Sequence, residues 1–280
     1  MAGPPMRPAI LCCAVLLLAG CAGAPTQRES AVDLPQFETL AADARVRYEP
    51  GARRYAERVA QLLPAAIAQV EAAHYLPFAA PVTVNVCGTS ACFARQVPDA
   101  PRLTAAVIFE NRLLLAPRLY DREPERLYPI LVHELSHLHL GQRLGHYTMG
   151  IPVWFHEGLA SLAAQGGGAD LVSEDDARHA IAAGKYFLPD AAHDGTVRKN
   201  ADRWQLSLSL FYRESLLFLD HLKSLGAEDF RRLLLRLQDN TRFDDAFATA
   251  YDRGALDLAR QFFGAIRCGR QECLDAAASP

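Results

Sequence analysis

The segment Leu131-Val132-His133-Glu134-Leu135-Ser136-His137-Leu138 combines a helical apolar repeat with two histidines four residues apart. Leu127, Ile130, Leu131, Leu135 and Leu138 recur at three- and four-residue steps, the spacing of one helix face. Pro124 suits the first turn of such a helix, and Gly141 or Gly145 can end it. Pro129 conflicts with a helix interior and marks either a kink or a late start. On a helix, residues i and i+4 project from the same side. His133 and His137 can therefore share one ion, and Glu134 stands beside it, where it can reach a water.

A catalytic zinc takes three protein ligands and keeps a fourth position open. The best third candidate is Glu157, in Pro152-Val-Trp-Phe-His156-Glu157-Gly158-Leu-Ala160. Nineteen residues lie between His137 and Glu157, room for a turn and a second helix running back beside the first. His156 is the rival, because histidine is the commoner ligand. Neighbouring helical side chains diverge by about 100°, so Glu157 and His156 cannot both coordinate. His139 falls on the other side of its helix and reads as structural. His146 does not stand at the spacing that would make it a ligand of the metzincin kind.

Outward from this centre the pattern is α+β: strands come early and helices late. Arg53 to His74 carries Tyr55, Val59, Leu62, Leu63, Ala66, Ile67 and Val70 on one helical face, with Pro64 as a potential bend. Val82 to Val86 alternates as a strand. Thr104 to Phe109 and Arg112 to Leu115 are two further strands, joined at Glu110-Asn111 as a hairpin. Pro152 opens a helix that Gly166-Gly167-Gly168 closes. Residues 170–200 read as a short helix and loops. Helical spacing returns from Leu206 to Gly226 and from Asp229 to Arg253.

The first residues differ from the rest. Arg7 precedes an apolar run, Ile10 to Leu18, too short to span a bilayer and suited to an export signal. The run ends in Leu17-Leu18-Ala19-Gly20-Cys21, which resembles a bacterial lipobox. The resemblance implies a signal peptide over 1–20, lipidation of Cys21 and a tether over 21–33. With Ala22 after the cysteine, it implies a cell-envelope protein on the outer membrane, facing the periplasm, held to the membrane through its N-terminal lipid. An ordinary signal peptide cut near Ala19 or Ala22 is the alternative.

Four cysteines remain beyond the leader, as Cys87-x4-Cys92 and Cys268-x4-Cys273. An even number in an exported chain points to disulfides, and two local bridges are the expected pairing. A metal site is the rival, although neither pair has a histidine nearby. The formal net charge of -3 is not that of a nucleic-acid binder.

His-Glu-x-x-His, followed some twenty residues later by Trp154-x-x-Glu157-Gly158-x-Ala160, resembles the gluzincin metallopeptidases of clan MA, and more narrowly the peptidase MA-like bacterial lipoproteins. The resemblance covers approximately residues 80–250. It implies a zincin-like fold over 34–280, with an N-terminal α/β lobe to about 145 and a helical lobe from about 146. It implies Zn2+ held by His133, His137 and Glu157, Glu134 as general base, and hydrolysis of peptide bonds in a peptide or envelope-protein substrate. Tyr212, in the helical segment from Leu210 to Leu222, matches a tyrosine that approaches the scissile group in this family; a core aromatic is the other reading. Many gluzincins place an Asp four residues after the glutamate ligand, to orient a zinc-bound histidine. Here that position is Ser161, a weaker partner. Two other roles would keep the ion: a binding or chaperone module with little cleavage, and a structural zinc, which would recruit a fourth ligand such as His156 or His139.

Overall fold

The computed structural model describes residues 37–99, 104–109, 111–189 and 200–269. Cys21, the leader, the tether and Cys273 lie outside them.

The His-Glu-x-x-His motif sits on α4 (Leu127–Leu144), which is buried on almost every side. A helix so uniformly apolar can only be central. A 3-10 turn at Pro124–Arg126 leads into it, so Pro129 is its third residue. The backbone N–H groups of a first turn have no intrahelical partner, and the missing N–H costs nothing there. Pro129 therefore marks a late start rather than a kink.

Beside α4 lies α1 (Arg53–His74), which runs through Pro64 without ending. A five-stranded mixed sheet completes this half, made of β1 (Glu38–Thr39), β2 (Val46–Tyr48), β3 (Val84–Val86), β4 (Ala106–Phe109) and β5 (Arg112–Leu115). Its order is β1-β2-β3-β5-β4. The three central strands are parallel, and the edge strands β1 and β4 pair antiparallel. The expected hairpin is β4–β5, with Asn111 at φ 61° in its turn. The strand expected from Val82 begins at Val84. Two short helices, α2 (Ser90–Gln96) and α3 (Arg118–Asp121), flank the hairpin in sequence.

The remaining helices are α5 (Val153–Ala163), α6 (Glu174–Ala182), α7 (Leu208–Leu225), α8 (Ala227–Gln238), α9 (Phe243–Tyr251) and α10 (Ala255–Cys268). The helical spacing from Asp229 to Arg253 is thus two helices, parted near Asn240, whose φ is 59°. Among the described residues no helix is long and apolar enough to cross a membrane.

Two large apolar cores result, beside a small one of Cys87, Cys92, Phe93, Leu114 and Ala116. One joins the sheet, α1 and the middle of α4 through Leu63, Val84, Leu113, Leu131 and Leu135. The other is aromatic, built on Trp154, Phe155, Phe187, Phe211, Phe218 and Phe263. Each fully buried side chain of this size stabilises by about 1.5–3 kcal/mol. Helices α4 and α5 contribute to both cores and run against each other. Gly158 brings α7 close against α5: a Cβ there would stand 2.7 Å from the Ser215 carbonyl oxygen and from Leu219 Cδ2. The side chains of Glu157 and of the motif histidines meet along this packed seam.

Candidate metal centre

Three donor atoms converge between α4 and α5. His133 Nε2 and His137 Nε2 are 3.1 Å apart. Glu157 Oε2 lies 3.4 Å from the first and 3.3 Å from the second. Zinc bonds to nitrogen or oxygen of 2.0–2.1 Å at a tetrahedral angle place neighbouring ligand atoms about 3.3–3.4 Å apart. The observed triangle is close to one face of such a tetrahedron. Among the described residues these three form the one convergent group of His, Cys, Asp and Glu able to hold a metal ion.

The protons agree with this. His133 Nδ1 stands 3.0 Å from the Gly167 carbonyl oxygen. A carbonyl only accepts, so Nδ1 carries the hydrogen and the Nε2 lone pair faces the centre. Glu157 Oε2 is buried without a well-formed hydrogen bond, its oxygen aimed between the two rings rather than at either. With both imidazoles neutral, their lone pairs and the Glu157 carboxylate would repel in this space, and a cation among them would relieve the repulsion. The charges are already coupled. Burial opposes protonation of His133, yet the Glu157 carboxylate, with Glu134 nearby, raises its pKa above the ordinary imidazole value. Burial pushes the Glu157 carboxyl up, but His137 and His133 hold it well below the usual carboxylate range.

The other sequence candidates fall into place around this centre. Glu134 is half buried, and its carboxylate makes no hydrogen bond or ion pair among the described residues. The Tyr212 ring lies near that of His133, with centroids 6.2 Å apart and planes at 22°. His156 is no ligand: its ring stacks on that of His137, centroids 4.3 Å apart at 15°. His139 turns to the far side of α4, where its Nε2–H donates to the Leu76 carbonyl oxygen at 2.8 Å and its ring meets that of His74. Neither supplies a fourth ligand, so among the described residues the structural-zinc reading lacks one. His146 is exposed in the 3-10 turn Gly145–Gly150.

Cys87 and Cys92 are joined in a disulfide, with Cα atoms 5.5 Å apart, which removes them as metal ligands. Cys268 ends α10; its expected partner Cys273 lies outside the described residues.

Ser161 does not take over the orienting role of a carboxylate. Its Oγ is buried and has no hydrogen-bond partner among the described residues. The partner of His133 is the backbone of Gly167, in a stretch the sequence had marked only as a helix stop. A carbonyl leaves no residue-type signature, so no motif could have announced it.

No family model, curated protein or solved structure matches the chain. What the centre can do follows from its own chemistry. Two neutral imidazoles and one carboxylate suit a divalent zinc ion, and three ligands leave a position for water or substrate.

Proposed function

We propose that this chain is a zinc-dependent peptidase of the gluzincin type, acting on peptides or proteins of the cell envelope and anchored to the membrane by lipid on Cys21. The reading rests chiefly on the triangle of His133, His137 and Glu157, whose 3.1–3.4 Å edges fit a tetrahedral ion. Zinc, when bound there, supplies Lewis acidity toward water and toward a substrate carbonyl.

The residues of the chain do the rest. Glu157 would supply the carboxylate ligand from α5 and offset part of the charge of the ion. Glu134 has no competing hydrogen bond or ion pair among the described residues, which suits its carboxylate to accept a proton from the attacking water and return it to the leaving amine. The Tyr212 ring lies near that of His133, and its hydroxyl would donate to the oxyanion that develops at the scissile carbonyl. Strand β4 is an edge strand of its sheet and packs against α4. As an edge strand it could pair with an extended substrate through backbone hydrogen bonds.

The test is Glu134→Gln. The variant is expected to keep stoichiometric zinc and to lose cleavage of an unfolded protein such as labelled casein. Cleavage at the parental rate would remove Glu134 from the mechanism and the proposal with it.

A further inference from the structure

We propose that the turn Gly166–Asp170 is a positioning clamp that fixes the His133 ring and couples its orientation to the helix bearing Glu157. The inference rests on the zinc reading for its consequence, but the clamp itself is a matter of backbone and side-chain contacts. Four observations carry it.

First, the Gly167 carbonyl takes the Nδ1–H of His133 at 3.0 Å and so selects the tautomer. His137 differs: its Nδ1 is buried with no hydrogen-bond partner among the described residues, and its ring is held by stacking on His156. Second, the turn lies flush on α4. A Cβ on Gly168 would overlap the His133 ring, and one on Gly167 would stand 2.7 Å from both Cβ and the carbonyl oxygen of Pro129. Gly166 and Gly168 also take φ of +102° and +83°, which side-chain-bearing residues rarely adopt. A side chain at Gly168 is disfavoured on both counts.

Third, an ion pair draws the turn toward the start of α4. Arg126, just ahead of that helix, donates from Nε to Asp170 Oδ2 at 2.7 Å and from Nη2 to Oδ1 at 3.2 Å. The same guanidinium donates from Nη1 to Glu123 at 2.6 Å, which holds it in place. Its side chain is only 17% exposed, so this bidentate pair is more than a loose surface contact. Fourth, the upstream end of the turn is the end of α5: Gly166 N–H donates to the Ser161 carbonyl at 2.9 Å and Gly167 N–H to that of Ala164 at 3.1 Å. One short stretch of backbone therefore joins the helix of Glu157 to the ring of His133. Outer partners of this kind typically govern metal affinity by about 10–100-fold.

The experiment uses the full chain and three variants: Gly168→Ala, Asp170→Asn, and the charge-exchanged Arg126→Asp/Asp170→Arg. Zinc affinity is read by competition with a chelator, and the His133 tautomer by imidazole 15N shifts in the zinc-free protein at a pH high enough to leave the ring neutral. The parent is expected to hold His133 with hydrogen on Nδ1. Gly168→Ala and Asp170→Asn are expected to weaken zinc by about 10–100-fold and to mix the tautomers, and the exchanged pair to recover part of both, since Glu123 then opposes the carboxylate at position 126. If Gly168→Ala does not fold, Asp170→Asn and its exchanged partner carry the test. Parental zinc affinity with unmixed tautomers in the variants would overturn the clamp alone. A parent that binds no zinc would overturn the zinc reading, while the 15N shifts would still decide the clamp.

Discussion

Glu214 makes the stability of this protein depend on pH in a direction opposite to that of most carboxylates. It lies on α7, fully buried, in the aromatic core side of the molecule. Its Oε2 accepts from the Phe187 N–H at 3.2 Å, and its Oε1 has no hydrogen-bond partner among the described residues. Burial pushes its pKa up to about 8 from an ordinary 4.5, against a smaller opposing effect of the Phe187 N–H. Between those two values the folded chain holds a proton that the unfolded chain has released. Stability from this group is complete below about 4.5 and is lost as pH rises toward about 8, at about 1.4 kcal/mol per pH unit. From about pH 5.5 to about pH 7.5 that amounts to about 3 kcal/mol.

Glu214→Gln removes the titration while keeping the shape. Because the amide meets a different set of partners, its absolute stability can move either way by about 1–3 kcal/mol. The slope is the diagnostic quantity. Buried His74 and His139 act in the opposite sense, since burial lowers both pKa values and their contribution is lost as pH falls through the ordinary imidazole range. They are common to both proteins and cancel in the difference. Urea unfolding of parent and variant at several pH values should therefore show the variant gaining about 3 kcal/mol on the parent over that interval. Parallel stability curves would refute the claim that Glu214 is buried and uncharged.

Two further substitutions probe the seam and the site. Gly158→Ala puts a Cβ 2.7 Å from the Ser215 carbonyl oxygen and Leu219 Cδ2, and should destabilise by about 1–3 kcal/mol in denaturant unfolding. Tyr212→Phe should leave zinc affinity unchanged and lower kcat about 100-fold or more, the usual loss of one oxyanion donor; an unchanged kcat would return Tyr212 to the role of a packing aromatic beside His133.

The parts of the molecule legible in the sequence are those with a local period. The i, i+4 pair His133 and His137 needs only a helix to converge, and α1 and α4 announce themselves by apolar spacing. Glu157 was legible as the best third candidate because the nineteen residues between it and His137 leave room for a turn and a returning helix. Pro129 posed a local conflict that the 3-10 turn before α4 resolves. Other elements carried no such signal. Strand β2 exists because Val46 and Tyr48 find Val84 and Val86 across α1, a pairing set by distant residues. Helices α2 and α3, seven and four residues long, are too short to show a period, whereas α10 does carry a readable apolar face at Leu258, Ala259, Phe262 and Phe263, beyond the helical stretch that the spacing ends at Arg253. The stretch from Asp229 to Arg253 kept a helical period on both sides of Asn240, so the period could not reveal the break. At the site, the sequence pointed to Ser161 as the place to look for an orienting partner. The structure finds it in the Gly167 carbonyl, which every residue type possesses and which only the folded backbone brings to His133.

The account stands on a divalent ion held by two histidines and a glutamate, and the ratio of zinc to protein tests it most directly. Elemental analysis of the purified chain and of His133→Ala is expected to give one zinc per parent chain and a small fraction of that in the variant. Absence of stoichiometric zinc from the parent, or equal zinc in both proteins, would contradict it.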